Sequence, residues 1–270
     1  MSMKRACVSA FGLLSIILLC LASCAGRQTA QPGGIDAKPA DVASPLDPLP
    51  RLYGEPGFRP IFDGKSLEGW KAADMSFWSV EDGAITAKIT AEHPTDRNHY
   101  LVYQGGKPGD FELKLRHRVL SPEDVNCGFQ FRSEIFDGKI TDDCRGYQVD
   151  NNTGTPWLVR LYDEHGRETL AWRGEKAVFD ANGQKTITPI EGAGGPARFR
   201  LDDWHEYHLI CRGPNITLKV NGRVVAEVVD NDPKQQDFSG VLALQLHSGP
   251  PMTVQFKDIR LKLLDGSSAG

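Results

Sequence analysis

Asn126-Cys127-Gly128-Phe129-Gln130-Phe131-Arg132-Ser133-Glu134 decides how this 270-residue chain is read. Cys127, Phe129 and Phe131 alternate with Asn126, Gly128, Gln130, Arg132 and Glu134. Side chains on a strand point to opposite faces with a period of two, so the apolar set faces a core and the polar set faces away from it. Two later stretches have the same character. Tyr147 and Val149 alternate with Gln148 and Asp150, and Leu242, Leu244 and Leu246 alternate with Gln245 and His247. An ordinary wet sheet face is mostly Lys, Glu, Thr and Ser. Here it holds amides, acids, Arg and His with Gly and Ala between them, a set suited to binding hydroxyls and moving protons.

Outward from these segments, strand-like runs recur at close spacing, among them Trp78–Val80, Ala84–Ala87, Tyr100–Tyr103, Phe111–Leu120, Trp157–Tyr162 and Trp204–Cys211. Further runs follow at Ile216–Val220, Arg223–Val229 and Thr253–Leu264. In Phe111–Val119 the apolar Phe111, Leu113, Leu115 and Val119 oppose Glu112, Lys114, Arg116 and Arg118, and His117 falls on the core side. Asn221-Gly222 is a hairpin turn, because both positions of a type I′ turn need positive φ. Many short strands with Gly, Pro and Asn between them make an all-β sandwich. About 207 residues, 58–264, suit one such domain. Trp70, Trp78 and Trp204 are expected in the core. Trp157 follows Thr155-Pro156 in a loop, and Gly174–Arg198 reads as a loop on the rim.

The chain begins with Lys4 and Arg5, an apolar run Ala6–Leu21, and Leu21-Ala22-Ser23-Cys24. A basic start, a short apolar core and small residues before a cut mark a secretory signal, here residues 1–23. The run is short for a membrane span. Leu-Ala-Ser-Cys resembles the bacterial lipobox, in which the cysteine is lipidated and becomes the new N-terminus. The expectation is a protein of the bacterial cell envelope, anchored in a membrane through Cys24, with Ala25 next to it suggesting the outer membrane. Residues 24–57, rich in Ala, Pro, Gly and Asp, read as a disordered tether, and residues 265–270 as a tail. Such a tether spans about 30 Å if flexible and up to about 100 Å if polyproline-like.

Loss of residues 1–23 removes Lys4 and Arg5 and no acid, so the formal charge moves from −4 to −6. A mildly acidic domain without a basic stripe is no nucleic-acid binder. Of six cysteines, Cys127, Cys144 and Cys211 remain in the domain, an odd number that leaves at least one free. His205-Glu206-Tyr207-His208 is not a metal cluster on a strand, where positions i and i+3 face opposite ways. No GxGxxG, Walker loop or HExxH occurs.

The order of segments resembles the 3-keto-disaccharide hydrolase family over residues 57–264. The resemblance rests on Ile61-Phe62-Asp63-Gly64-Lys65-Ser66-Leu67-Glu68-Gly69-Trp70, Trp78-Ser79-Val80-Glu81-Asp82-Gly83 and Gly109-Asp110-Phe111-Glu112-Leu113. It continues through Asn126–Arg132, Gly146–Val149, Trp204–Tyr207, Leu244–His247 and Val254–Arg260. It implies a concanavalin A-like jelly roll of two antiparallel sheets, with sugar handled on a concave face, and an enzyme that cleaves glycosides oxidised to a ketone at C3. A C3 ketone acidifies the C2 proton, so a base can remove it and expel the C1 substituent, after which water adds. That route needs a base, an acid for the leaving oxygen and a group that polarises the ketone.

The resulting expectation has Asp150 or His247 as base, with the other, or Glu134, as acid. Arg132 would stabilise the enolate oxygen, unless a divalent metal held by His247 and the carboxylates takes that role. Asn126, Gln130, Gln148, Gln245 and Trp157 would hold the substrate, an oxidised disaccharide or glycoside. One departure stands out: family members often carry Glu then Gln where this chain has Gln148 then Asp150. A non-catalytic carbohydrate-binding lipoprotein is the rival reading, and a structural surface protein a third.

Overall fold

Alternation becomes structure most plainly at Phe111, Leu113 and Leu115, buried on one side of a strand whose other side carries Glu112 and Lys114. The computed structural model of the protein describes residues 55–154, 159–192 and 200–264. In chain order the first strands are β1 (Arg59–Pro60), β2 (Trp70–Lys71), β3 (Trp78–Glu81), β4 (Ala84–Ile89), β5 (His99–Tyr103) and β6 (Phe111–Leu120). Next come β7 (Asn126–Phe136), β8 (Asp143–Asn152), β9 (Arg160–Glu164), β10 (Glu168–Trp172), β11 (Glu175–Phe179) and β12 (Lys185–Pro189). The last are β13 (His205–Arg212), β14 (Asn215–Val220), β15 (Arg223–Asp230), β16 (Val241–Leu246) and β17 (Met252–Leu263).

Two sheets form a sandwich of the jelly-roll class. The ten-stranded sheet runs β12-β11-β15-β14-β13-β6-β17-β4-β3, with β1 also on β17, and the seven-stranded sheet runs β10-β9-β8-β7-β16-β5-β2. Pairing is antiparallel apart from β11 beside β15. Between the sheets Phe129, Phe131, Tyr147, Val149 and Leu244 meet Leu113, Leu115, Tyr207, Leu209 and Phe256. Phe129 and Tyr207 touch edge to face at 5.8 Å. Each such side chain taken out of water contributes about 1.5–3 kcal/mol, and this interface fixes which face of every strand is left over.

His117 sits in that core with Cys127 Sγ 3.5 Å from its Nε2, and burial pushes its pKa down to about 3, so it is a neutral core residue. Cys127, Cys144 and Cys211 are buried and free. Asn221 and Gly222 take φ of +49° and +78° between β14 and β15, as the turn requires.

Three sequence expectations are corrected. The first part of Gly174–Arg198 is a hairpin, β11 and β12, extending the ten-stranded sheet rather than overhanging the other. Its strands were missed because β12 is exposed along its whole length and has no alternation to read. Trp204 is only half-buried, lying between Arg118 and Lys257. Glu55, placed in the tether, is tied to the domain by ion pairs to Lys114 and Arg260. Residues 1–54, with Cys24 and the signal segment, and residues 265–270 lie outside the described residues.

Candidate functional site

Register across the seven-stranded sheet writes its outer face as rows, since directly opposed residues of antiparallel strands share a face. One row reads Val102, Ala243, Gln130, Gln148 and Tyr162 across β5, β16, β7, β8 and β9. The next reads Tyr100, Gln245, Gly128, Asp150 and Arg160 across the same strands. Asn126 follows at the start of β7, and His247 lies directly after β16. Gly128 and Ala243 leave the middle of both rows without side-chain bulk, a hollow in the sheet face that other residues cover, since Gln130, Gln148, Gln245 and Asp150 are only 0–2% exposed. Gly128 is required there, because a Cβ would come within 2.3 Å of the Val149 carbonyl oxygen.

The side chains around that hollow are buried yet incompletely bonded. Gln130 Nε2, Gln148 Nε2, Gln245 Oε1, Asn126 Oδ1 and Asp150 Oδ1 have no hydrogen-bond partner. Each such group costs about 1–3 kcal/mol when left unmade. Five on one face are unusual for a surface that serves only to finish a fold. Two donors and three acceptors in a hollow match the hydroxyl and carbonyl oxygens of a sugar.

Asp150 is 1% exposed. Its Oδ2 accepts from Arg160 Nε at 2.5 Å, and Arg160 Nη1 donates to Thr169 Oγ1. The guanidinium is flanked by the Tyr162 and Trp172 rings at 4.2 and 5.3 Å. Burial raises the Asp150 pKa above the usual carboxylate range, against the pull of Arg160, His247 and Asn126. A carboxylate short of solvent is a stronger base. His247 Nδ1 lies 2.6 Å from the Ser248 carbonyl oxygen, which can only accept, so Nδ1 donates there and Nε2 is the nitrogen left to exchange a proton.

Of the residues expected at the site, the structure thus brings Asn126, Gln130, Gln148, Asp150, Gln245 and His247 to one face, and it takes Arg132 and Glu134 away. The cause is a bulge. Pairing of β7 with β8 and with β16 slips between Gln130 and Glu134, and Arg132 takes a φ of +47°. Gly146 in β8 and Gly240 just before β16 make room, since a Cβ on either would meet the backbone of Arg132–Ser133 within about 3 Å. An extra residue reverses the faces beyond it. Arg132 therefore turns from the hollow and, 1% exposed, donates to the carbonyls of Gly109 and Gly213 and to Asp110 Oδ1. Glu134 ends in an exposed pair with Arg145. Arg160 replaces Arg132 as the cation of the face. Trp157 lies outside the described residues.

Glu164 was missed. It opposes Gly146 in the β8–β9 register and continues the alternation of Arg160 and Tyr162, which is the signal that would have found it. Burial pushes its pKa up to about 7, with Asp150 and Asp143 adding to the shift and His165 and Arg160 opposing it. On the β5 side the face turns apolar, with Tyr100, Val102, Ile135, Cys144, Val241 and Ala243 in contact. A cleft of about 680 Å³ opens over Tyr100, Val102 and Ile135, rimmed by Lys71, Arg97 and Asp142. Among the described residues no three His, Cys, Asp or Glu side chains are placed to hold a metal ion. Asp150 and His247 would supply two donors, one short of the protein ligands at a catalytic zinc.

One solved structure shares the sandwich at low sequence identity, and others are similar more loosely. A Bacillus subtilis protein of unknown function with a galectin-like fold superposes with a TM-score of 0.50 at 12% identity, covering 73% of this chain and 90% of that one. The carbohydrate-binding module CBM66 from Bacillus subtilis gives 0.45 at 14%, covering 72% and 95%. A prokaryotic β-1,3-1,4-glucanase from a mouse hindgut metagenome gives 0.44 at 14%, covering 72% and 92%. Among curated proteins none matches. A family model does: residues 57–262 match the 3-keto-alpha-glucoside-1,2-lyase-like domain. With more than half its length matched and a hollow of unpaired sugar-compatible groups on its outer sheet face, the chain belongs to that carbohydrate-related family.

Proposed function

We propose that this protein is an envelope enzyme, held to a membrane by lipid on Cys24, that cleaves glycosides carrying a ketone at C3. Asp150 Oδ1, buried and without a partner, takes the C2 proton. His247 stands within electrostatic reach of Asp150 and relays that proton to solvent. Gln130 and Gln148, cross-strand neighbours with unbonded Nε2 groups, donate to the ketone oxygen as it gains charge. Asn126 and Gln245 accept from ring hydroxyls. Expulsion of the C1 substituent and addition of water complete the reaction. The lipid anchor rests on the sequence Leu21-Ala22-Ser23-Cys24.

The observation that carries this reading is the set of five unpaired buried polar atoms around one carboxyl. A 3-keto-disaccharide incubated with the purified domain, with and without chelator, tests it. The wild type is expected to release both halves, and Asp150→Asn to slow release by about 10²–10⁴, the range of a lost general base. Binding of the ketosugar without any cleavage would leave only a carbohydrate-binding module.

A further inference from the structure

Glu164 and the apolar half of the same sheet face have no part in the chemistry above. Glu164 lies on the seam between the two halves. Asp150 acts on it from the polar side, and its own charge acts on Tyr100 and Cys144 on the apolar side. The remaining charged groups around it are Asp143, His165 and Arg160, with the Tyr162 hydroxyl alongside. His165 is engaged by Asp143, and Arg160 by Asp150 and Thr169. No hydrogen bond or ion pair holds the Glu164 carboxyl among the described residues. Opposite it stands Gly146, which has no side chain to cover it. A carboxyl that burial makes hold its proton to higher pH, placed on the same sheet face as the base, is how glycoside-cleaving sites hold a proton donor.

We propose that Glu164 is the acid of this site, giving its proton to the glycosidic oxygen, and that the cleft over Tyr100, Val102 and Ile135 seats the departing group. This rests on the function proposed above. The base removes the proton from C2, and that C–H electron pair becomes the C1–C2 double bond as the C1–O bond breaks. The C1–O pair stays on the leaving oxygen, which takes the Glu164 proton. The products are an unsaturated 3-ketosugar and a neutral alcohol, with nothing oxidised or reduced. Water then reprotonates Glu164. The cleft sets Val102, Ile135 and the Tyr100 ring beside Lys71, Arg97, Gln104, Thr141 and Asp142, so it can take an aryl group and bond its polar substituents.

The test uses two 3-keto-glucosides, one with 4-nitrophenol and one with a simple alkyl alcohol as leaving group. An acid matters little when the departing oxygen is already a weak base, so Glu164→Gln is expected to keep 4-nitrophenyl cleavage within about threefold and to lose at least 100-fold with the alkyl substrate. The wild type alone gives a second reading that needs no variant. Its alkyl rate is expected to fall as pH rises through about 7, while its 4-nitrophenyl rate does not fall there. Equal losses on both substrates, or a shared pH profile, would overturn the assignment. Wild type inert toward both substrates would instead defeat the underlying function. For the cleft, Val102→Asn is expected to raise KM for the aryl substrate with little change in kcat, and an unchanged KM would reject that seat.

Discussion

The outer faces of the two sheets come from the same alternation in sequence and finish in opposite states. On the ten-stranded sheet the polar residues bond to one another. Lys114 reaches Glu55 at 2.7 Å, His208 and Lys262 share Glu112, Arg260 meets Glu206, and Arg118 donates to Gln255. Arg116 and Arg260 each leave Nε unbonded, while Arg116 Nη1 meets Asp258 and the two terminal nitrogens of Arg260 meet Glu55 and Glu206. On the seven-stranded sheet the amides and Asp150 leave five atoms without partners. The first face is complete as it stands; the second is completed by something that brings its own oxygens. Composition hints at the difference, since long charged side chains reach each other across strands and short amides do not.

The largest expected effect lies at neither face but at the bulge that bounds the second. Arg132→Met would strip a buried cation from Asp110 and from the three carbonyls of Gly109, Gly213 and Asp237, and breaking one side of such a pair costs about 3–5 kcal/mol. In a domain of this size that lowers the melting temperature by roughly 10 °C. Thermal unfolding checks it. Full stability with lost activity would return Arg132 to the site and undo the face reversal on which the comparison depends.

Gln148→Met sharpens the contrast directly. Replacing a buried amide whose Nε2 bonds to nothing should leave the fold unharmed or stabilise it, by up to about 1–3 kcal/mol. The same change should lower kcat/KM by at least about tenfold, one lost hydrogen bond to a charged transition state. Destabilisation would mean that the amide is already satisfied and the face is not waiting for a ligand.

A smaller effect is read in pH. Glu164 and Asp150 have folded-state pKa values above their usual ones, so the folded protein binds those protons more tightly than the unfolded chain. The stability this contributes is present below about pH 4.5 and is lost as pH rises through about 7. Glu112, Glu55 and Asp230, held below their usual values, give the opposite slope at lower pH. Between pH 5 and 7.5 the wild-type melting temperature should therefore drift down, and Glu164→Gln should flatten the drift.

Much of this architecture was legible from alternation alone, because a strand with one apolar side has little choice of orientation. The hollow was legible for the same reason wherever the ladder stays regular, at Gln130, Gln148, Asp150 and Gln245. It failed at Arg132, since nothing within Phe131-Arg132-Ser133 announces a left-handed residue. The glycines that permit the bulge, Gly146 in β8 and Gly240 just before β16, are distant in sequence, so only pairing reveals why they are there. Glu164 was lost by stopping a strand one alternation early, at Tyr162. Edge strands such as β12, short and exposed, offered no pattern to read.

Lys114→Met should change least, and that is its use. The ammonium pairs with Glu55, itself a third exposed, and lies over the Phe58 ring at 4.8 Å. Exposed pairs of this kind are worth about 0–1 kcal/mol and weaken with salt. The methionine keeps the stem's contact with Phe58 and leaves Glu55 near Arg260 at 3.6 Å. Activity should stay at the wild-type level, and the small stability loss should shrink further in 1 M salt. A loss above 2 kcal/mol would show that the paired face acts as a cooperative network. The two faces would then differ in how strongly they hold the fold as well as in whether their polar atoms are satisfied.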